Sequence, residues 1–359
     1  MRPHITALLH NRFIQRHEPF SVVHFVTTRC NARCKHCFID FSTPIDRANE
    51  LALDEIVRLA RNLGKTLYNV NLTGGEPFLR DDLFDIVSCY IQHTPVRSIV
   101  ITTNGWFTDA IRTLLKRYSR LDTPCSLTIS ISIDNIEQKH DSGRQLAGLY
   151  AHAIESYRAV AACKDPRINA DIALTVTPEN ADTITEIYHR LQQTGINTVS
   201  PIMLREEGVQ NSIANKQKLA SAYRELTRLT EETGSAAPGE FTRALHRAKK
   251  RISHRILHDS CLNPRFISPC KAGSLFVTIT ADGTVAPCEL LTERMPLGNL
   301  RDYEMNFLKL LNSQRAQNAR HEISKTKCHC TFECAWTVNI LTTPSYWPSL
   351  ALNTLKELT

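Results

Sequence analysis

The sequence lacks any long hydrophobic run. No stretch of its 359 residues approaches the ~20 continuous apolar residues that a membrane-spanning helix needs. The first residues, MRPHITALLHNRF, also lack the apolar core of a secretory signal peptide. We therefore expect a cytoplasmic protein that has no membrane partner.

A strong excess of one charge is also missing. The formal net charge is +7, and the basic excess is concentrated in RALHRAKKRISHR, residues 243–255. A solvated helix face accounts for such a run more simply than a nucleic-acid surface does. We therefore do not expect nucleic acid as a partner. An RNA-modifying enzyme, whose helix at residues 240–258 binds RNA, is kept as a third reading.

Cysteines are abundant, but nothing indicates that they form disulfides. Twelve cysteines in a chain without an export signal argue against a disulfide framework. Cys30, Cys34 and Cys37 follow an apolar run at residues 22–28 with the spacing CxxxCxxC. A zinc finger would need a fourth ligand nearby. Three thiolates on a short loop can instead hold three irons of a cubic iron–sulfur cluster and leave the fourth iron free for a ligand.

Strand and helix patterns alternate from residue 21 onwards. Strands are predicted at residues 22–28, 67–72, 98–103, 126–133, 168–176 and 198–204, and helices at 51–64, 81–93, 107–119, 145–163 and 180–194. This alternation predicts an α/β fold with a parallel sheet, either doubly wound or an incomplete β/α barrel. Polar residues follow all six strands, as expected where loops converge on the mouth of a barrel. We therefore predict a partial (β/α)6 TIM-like barrel.

The alternation ends after the sixth strand, and this divides the chain. Residues 1–20 are predicted to be an N-terminal extension, 21–206 the barrel, 207–260 a helical linker or lid with a GSAAPG loop, and 261–359 a small C-terminal domain of a hairpin plus helix. In that last part, β-branched residues flank Ala281, Asp282 and Gly283, which predicts a β-hairpin.

The motifs together resemble those of the radical S-adenosylmethionine (SAM) enzymes. The resemblance covers residues 20–205 and rests on CxxxCxxC after the first strand, GGEP at residues 74–77 after the second, and the six-fold β/α repeat. It implies that Cys30, Cys34 and Cys37 are catalytic and hold a [4Fe-4S] cluster whose free iron binds SAM. One electron from a low-potential donor such as a flavodoxin or ferredoxin would cleave SAM. The resulting 5′-deoxyadenosyl radical would take a hydrogen atom from the substrate.

The resemblance also places SAM-binding residues at the strand ends. Gly74 and Gly75 would let backbone groups approach the ligand, although an ordinary turn uses the same residues. Glu76 would accept a hydrogen bond from the cationic amine of SAM. Asn104 would line the floor of the pocket or form a turn.

Four further residues complete the predicted SAM site. Ser132 and Asp134 would contact the ribose, as carboxylates do in dinucleotide sites, unless Asp134 only caps the following segment. Arg205 would pair with the SAM carboxylate or form a surface salt bridge with the glutamates that follow it. His36, which precedes the third cysteine, would stack on the adenine.

The C-terminal cysteines resemble those of the SPASM and twitch extensions of the same family. Cys270 and Cys288 flank the hairpin with the spacing C-x12-G-x4-C, and CHCTFEC follows. The resemblance implies an auxiliary [4Fe-4S] cluster, and because no cysteine follows Cys334 we expect one such cluster. Its expected ligands are Cys270, Cys288 and Cys334, with Cys330 as the fourth and Cys328 as the alternate. Structural zinc is the competing occupant.

These features predict a radical SAM enzyme that takes a hydrogen atom from its substrate. In one form of the reaction the auxiliary cluster also accepts an electron, so that the substrate is oxidised overall. Residues 1–20 are too few for a leader-peptide-binding domain. We therefore expect a small polar metabolite, such as a sugar, nucleoside or amino-acid derivative in a biosynthetic pathway. Peptide maturation is the alternative, because a separate protein could bind the leader. A non-catalytic iron–sulfur or zinc protein is the second alternative.

Overall fold

A nine-stranded sheet frames the part of the chain that the computed structural model describes, residues 17–37, 39, 49–205, 213–231 and 240–358. Its strands are β1 (Ser21–Thr27), β2 (Asn69–Gly74), β3 (Ser98–Thr103), β4 (Ser126–Ser132), β5 (Ile168–Val176), β6 (Val199–Met203), β7 (Phe276–Ile279), β8 (Thr284–Ala286) and β9 (Gly298–Asn299). They lie in the order β6-β5-β4-β3-β2-β1-β7-β8-β9. The predicted extension before residue 17 and the GSAAPG loop lie outside the described residues.

Helices connect the first six strands. They are α1 (Leu53–Arg61), α2 (Leu83–His93), α3 (Thr108–Tyr118), α4 (Glu137–Arg144), α5 (Leu149–Ala161) and α6 (Ile184–Gln193). The later helices are α7 (Ile213–Glu231), α8 (Glu240–Leu262), α9 (Phe307–Leu311), α10 (Gln314–Lys325), α11 (Glu333–Thr342) and α12 (Trp347–Leu358). Strands β1 to β6 pair in parallel and in sequence order. The predicted α/β fold with a partial TIM-like barrel is therefore confirmed.

The two faces of the sheet differ in polarity, because successive side chains of a strand point to opposite sides. On the outer face Val70, Leu72, Ile99 and Ile101 are fully buried and share one core with apolar residues of the flanking helices. The opposite face, called the inner face below, carries apolar residues of β1 and β3 (Val23, Phe25 and Val100) and a larger set of polar residues on β2 to β5: Asn69, Asn71, Thr73, Ser98, Thr102, Thr128, Ser130, Asp171 and Thr175. Such a polar set suits a ligand-filled interior better than a packed apolar core.

The C-terminal hairpin extends the barrel sheet. β7 pairs with β1 in parallel, with Thr278 opposite Val23, and pairs with β8 in antiparallel fashion. The predicted hairpin is confirmed: Gly283 has a φ of +86°, and the Thr284 backbone N–H donates to the Asp282 carboxylate. The C-terminal part is therefore built directly onto the first barrel strand.

The helix predicted at residues 145–163 is confirmed as α5, which begins at Leu149 and ends at Ala161. A second helix, α4, precedes it and was not predicted, and Gln145 and Gly148 between the two adopt left-handed conformations with φ of 52° and 81°. The sequence of α4, EQKHDSGR, has no apolar stripe, so periodicity does not reveal it. This short helix carries Arg144 to the carboxyl ends of the strands.

Helices α7 and α8 pack against the barrel. Leu219, Tyr223 and Leu226 of α7 and Ala248 and Leu257 of α8 are buried in the same core as the barrel helices. The division of the chain at residues 206 and 260 stays a prediction. Within the described ranges, no helix is both long and apolar enough to cross a membrane.

The basic run on α8 is not a uniformly solvated face, so that interpretation is wrong for part of it. Arg255 is exposed, whereas Lys249 and Lys250 are only partly accessible. Lys249 Nζ donates to the Thr337 hydroxyl of α11, and the charge of Lys250 acts on the Asp171 carboxyl of β5, so both lysines lie on the side of α8 that faces the barrel.

Candidate active site

The three N-terminal cysteines lie on the loop that follows β1, at the carboxyl end of the strands. The backbone N–H groups of Arg33 and Lys35 donate to the carbonyls of Arg144 and Gly143, at 2.9 and 3.1 Å. The loop is therefore fixed to the end of α4. The thiols of Cys30, Cys34 and Cys37 are free and partly buried.

The protein alone does not favour the thiolate form of these cysteines. Burial raises the pKa of Cys34 and Cys37, and it raises that of Cys30 to about 11. Bound iron supplies the positive charge that a thiolate requires at neutral pH. The donor set, three free thiols on one loop, therefore fits a metal cluster.

The arrangement of ligands favours a cluster over a single ion. Among the residues that the structure describes, no three His, Cys, Asp or Glu side chains converge closely enough to hold one metal ion. A cubane binds each thiolate to a different iron, so its ligands lie farther apart than those of one zinc ion.

Gly74 and Gly75 allow the end of β2 to lie against the cysteine loop. A Cβ on Gly74 would lie 2.1 Å from the Thr27 carbonyl oxygen, and one on Gly75 would lie 2.0 Å from that of Arg29. The Gly75 and Glu76 N–H groups donate to these same two carbonyls, at 2.8 and 2.7 Å. In the structure the two glycines thus serve close contact between two chain segments.

Glu76 is fully buried beside this contact. Its Oε1 accepts hydrogen bonds from the Thr103 hydroxyl at 2.8 Å and the Phe78 N–H at 3.0 Å, and its Oε2 accepts one from the Asn104 N–H at 2.7 Å. Burial nevertheless raises the pKa of Glu76 to about 7. A nearby cation would restore the charged form, so this carboxyl is suited to a cationic ligand group.

Asn104 connects the end of β3 to the cysteine loop. Its amide Nδ2 donates to the side-chain oxygen of Asn31 at 2.7 Å, and its Oδ1 accepts from the Trp106 N–H at 2.9 Å. Asn104 thus forms the turn that one of the two predictions named, and it also holds the loop.

Asp134 lies at the end of β4 and forms a buried ion pair that the sequence analysis did not foresee. Arg144 donates through Nη2 and Nε to Asp134 Oδ2, at 2.6 and 2.9 Å. His36 Nε2 lies 3.5 Å from the same oxygen, and the Thr175 N–H donates to Oδ1 at 3.1 Å. Burial acts to raise the pKa of Asp134, but the Arg144 charge, the neighbouring His36 and His140 and the Thr175 N–H together outweigh it, and the pKa falls to about 2. Ser132 precedes this pair and is half-buried.

Arg205 follows β6 and connects the barrel to the C-terminal part. Its guanidinium pairs with Glu289 at 2.8 Å and lies 5.0 Å from the ring centroid of Phe332. The glutamates at positions 206 and 207, which were its alternative partners, lie outside the described residues. The structure therefore places Arg205 at the junction of the two parts of the chain.

Sequence reasoning missed three residues that organise this mouth, Arg144, His140 and Asn180. The Asp134 N–H donates to His140 Nδ1 at 3.3 Å, and burial lowers the pKa of His140 to about 3, so this imidazole is neutral. Asn180 Nδ2 donates to the carbonyls of Asp134 and Thr175, at 2.7 and 2.8 Å. The available signal was the polar run after β4, DNIEQKHDSGR.

The predicted ranking of the C-terminal ligands stays a prediction, and the structure shows which charged groups surround each thiol. Cys330 lies close enough to Cys270, Cys288 and Cys328 for their charges to interact. Cys334 packs against the same apolar cluster as these cysteines, and the charges of Glu289, Glu333, Arg205 and Lys249 act on its thiol. The Asn71 amide on the inner face donates to the Cys334 sulfur at 3.7 Å.

Comparison with known proteins agrees with this arrangement. Residues 25–191 match the radical SAM superfamily, and residues 270–335 match the SPASM iron–sulfur cluster-binding domain. The chain is 30% identical to a GTP 3′,8-cyclase of Cronobacter sakazakii over 212 residues, which cover 55% of this chain and 58% of that protein. It is also 30% identical to the pre-heme d1 synthase of Dinoroseobacter shibae over 177 residues, which cover 49% and 41%. The matches thus span about half the length of these relatives.

A solved structure shares the fold over almost the whole chain. It is anSMEcpe with bound AdoMet and a peptide, and the TM-score is 0.61 at 16% identity, over 94% of this chain and 99% of that one. A partial barrel with three free thiols at its mouth fits an iron–sulfur enzyme. The chain belongs to the radical SAM superfamily and carries a C-terminal SPASM domain. Its cofactors are accordingly a [4Fe-4S] cluster, SAM and auxiliary iron–sulfur chemistry.

Proposed function

We propose that the protein takes a hydrogen atom from a small polar metabolite in a biosynthetic pathway. The observation that carries this proposal is the polar inner face of the sheet, which lies below a mouth with three free thiols. Polar side chains along a barrel interior can bind hydroxyl, amide or charged groups of a substrate. When bound, the cluster and SAM supply a 5′-deoxyadenosyl radical.

The residues of the mouth have distinct proposed roles. Cys30, Cys34 and Cys37 hold the first cluster, and Glu76 accepts from the SAM amine, which favours its charged form. The remaining proposed SAM contacts are His36, Gly74, Gly75, Asn104, Ser132, Asp134 and Arg205. Arg144 is a positioning residue, because it fixes Asp134 and the cysteine loop together.

We further propose that one auxiliary cluster is bound by Cys270, Cys288, Cys328 and Cys330. This assignment follows the proximity of these four thiols and replaces Cys334, the ligand preferred from the sequence, with Cys328. A low-potential flavodoxin or ferredoxin remains the expected electron donor.

Peptide modification is the second candidate function. The fold neighbour anSMEcpe has a peptide bound, and it covers almost the same length of chain. The polar interior favours the small metabolite, because an enclosed polar space best suits a ligand that the barrel can surround.

A deuterium-transfer screen tests the proposal. Cluster-loaded protein is incubated with SAM, dithionite and perdeuterated candidates, and mass spectrometry follows deuterium in 5′-deoxyadenosine. We expect transfer from a sugar, nucleoside or amino-acid derivative. Transfer only from deuterated peptides would overturn the metabolite proposal and support peptide modification.

A further inference from the structure

Two lysines of α8 face the interior of the barrel. Lys249 Nζ donates to the Thr337 hydroxyl of α11 at 3.4 Å. The charge of Lys250 acts on the carboxyl of Asp171, which lies on the inner face of β5. Residues 249 and 250 are one helical turn beyond His246, so the three form one stripe of the helix. This stripe brings two ammonium groups beside the polar inner face.

Neither lysine has a carboxylate partner among the residues that the structure describes. Lys249 lies deep in the protein, where burial and then the Lys250 charge lower its pKa to about 8. A buried ammonium without a counter-ion is costly. Two such groups side by side create a local positive potential that a ligand anion would relieve.

Asp171 does not neutralise this potential. Its carboxylate already accepts from the hydroxyls of Ser130 and Ser200, both at 3.0 Å. Among the described residues, Asp171 forms no ion pair with Lys250. Burial raises the pKa of the Asp171 carboxyl, which favours its neutral form. The two hydroxyls thus already donate to Asp171, and the two ammonium groups supply the donors of this region on the floor of the barrel.

This region borders an internal space. Lys249 and Asp171 lie deep in the protein, yet both side chains are partly accessible, from which we infer a space beside them. Asp171 and Thr175 lie four residues apart on β5, and the Thr175 N–H donates to Asp134 at the mouth. At ~3.3 Å per residue, this places the region roughly 13 Å below the mouth. A small metabolite could therefore place one end at each site.

We propose that Lys249 and Lys250 form an anion-binding subsite that holds a carboxylate or phosphate group of the substrate. This inference rests on the proposed function, since it assigns the polar metabolite a negatively charged end. Because the reacting carbon and the anionic group lie at opposite ends of the barrel, the subsite would orient the substrate before hydrogen transfer.

Anion binding to the full-length, cluster-loaded protein with SAM tests this proposal. The thermal midpoint is followed against inorganic phosphate and, separately, acetate, with chloride holding the ionic strength constant. We expect at least one of the two anions to raise the midpoint. The anion that does so shows whether phosphate or carboxylate is preferred. Lys249→Met and Lys250→Met should weaken that anion's apparent affinity on the order of ten- to a hundred-fold, as expected for a lost charged hydrogen bond.

Arg255→Met is the matched control, because Arg255 is an exposed basic residue of the same helix, and it should bind like the wild type. Iron content shows whether Lys249→Met folds. If it does not, Lys249→Arg takes its place, and this variant should retain binding because it keeps the charge. A wild type that responds equally to chloride, or lysine variants with unchanged affinity, would overturn the subsite. Failure of the proposed function would appear instead as no 5′-deoxyadenosine, a result that leaves anion binding measurable.

Discussion

Arg144 holds more of the mouth together than any single residue that the sequence pointed to. Its carbonyl accepts from the cysteine loop, and its guanidinium binds the carboxylate of Asp134. Both side chains are about nine-tenths buried, at 9% and 10% exposure. The pair therefore lies where removing one partner leaves the other charge without compensation.

Replacing Arg144 with methionine should destabilise the protein by about 3–5 kcal/mol, because it leaves the Asp134 carboxylate buried and unpaired. Anaerobic urea unfolding measures this loss. Arg117 pairs with Asp85 at 2.7 Å while both are nearly half exposed, so Arg117→Met should cost no more than about 1 kcal/mol. Equal losses in the two variants would show that burial does not govern the Asp134 pair.

The carboxyl of Glu76 predicts a pH dependence. Its pKa of about 7 in the folded chain exceeds the ordinary value of 4.5. The folded state therefore binds more protons between these two values, and the free energy of unfolding should fall as pH rises from 4.5 to 7, then level off. Glu76→Gln should remove this contribution, so the difference between wild type and variant should depend on pH only in that window. A difference that stays constant from pH 5 to 8 would contradict the assignment.

At the scale of elements, the sequence predicted the strands better than their connections. The bounds of β3 and β5 agree with their predicted ranges, because apolar residues dominate one face of each strand. The pairing of β7 with β1 could not be predicted, since strand pairing between distant segments leaves no local period in the sequence. Helix α4 was missed because it has no apolar stripe. Polar contacts of His140 and Arg144 attach it to the mouth of the barrel instead.

Glycine at position 75 should be essential to the contact between β2 and the cysteine loop. Gly75→Ala forces a Cβ to within 2.0 Å of the Arg29 carbonyl oxygen, so the loop must move and the first cluster should be lost or bound weakly. Iron analysis measures this. Gly143→Ala is the control, because a Cβ there meets nothing within 4 Å. That change should keep all iron and add up to about 1 kcal/mol of helix stability.

At the scale of the molecule, one sheet runs through the described part of the chain and joins the two segments that bear the cysteine sets. This arrangement was only partly predictable. The spacing of the cysteines indicated a second cluster site. It could not rank the ligands, because a one-residue offset within CHCTFEC changes which thiols point towards Cys270 and Cys288. Cys334 instead lies beside Asn71 and Lys249, next to the barrel interior.

Iron content of single variants distinguishes the two ligand sets. Reconstituted wild type should hold about eight irons per chain, as two cubanes. Cys330→Ala should fall towards about four irons, whereas Cys334→Ala should retain about eight. If Cys334→Ala loses the auxiliary iron and Cys328→Ala does not, the ligand set preferred from the sequence is correct and the assignment from proximity is wrong.

Reductive cleavage of SAM tests the central claim most directly. Anaerobic, reconstituted protein is mixed with SAM and dithionite, and 5′-deoxyadenosine is quantified by chromatography. The wild type should form this product. The variant with Cys30→Ala, Cys34→Ala and Cys37→Ala should form none, although it keeps its auxiliary cluster. A wild type with a full iron complement that produces no 5′-deoxyadenosine would contradict this claim.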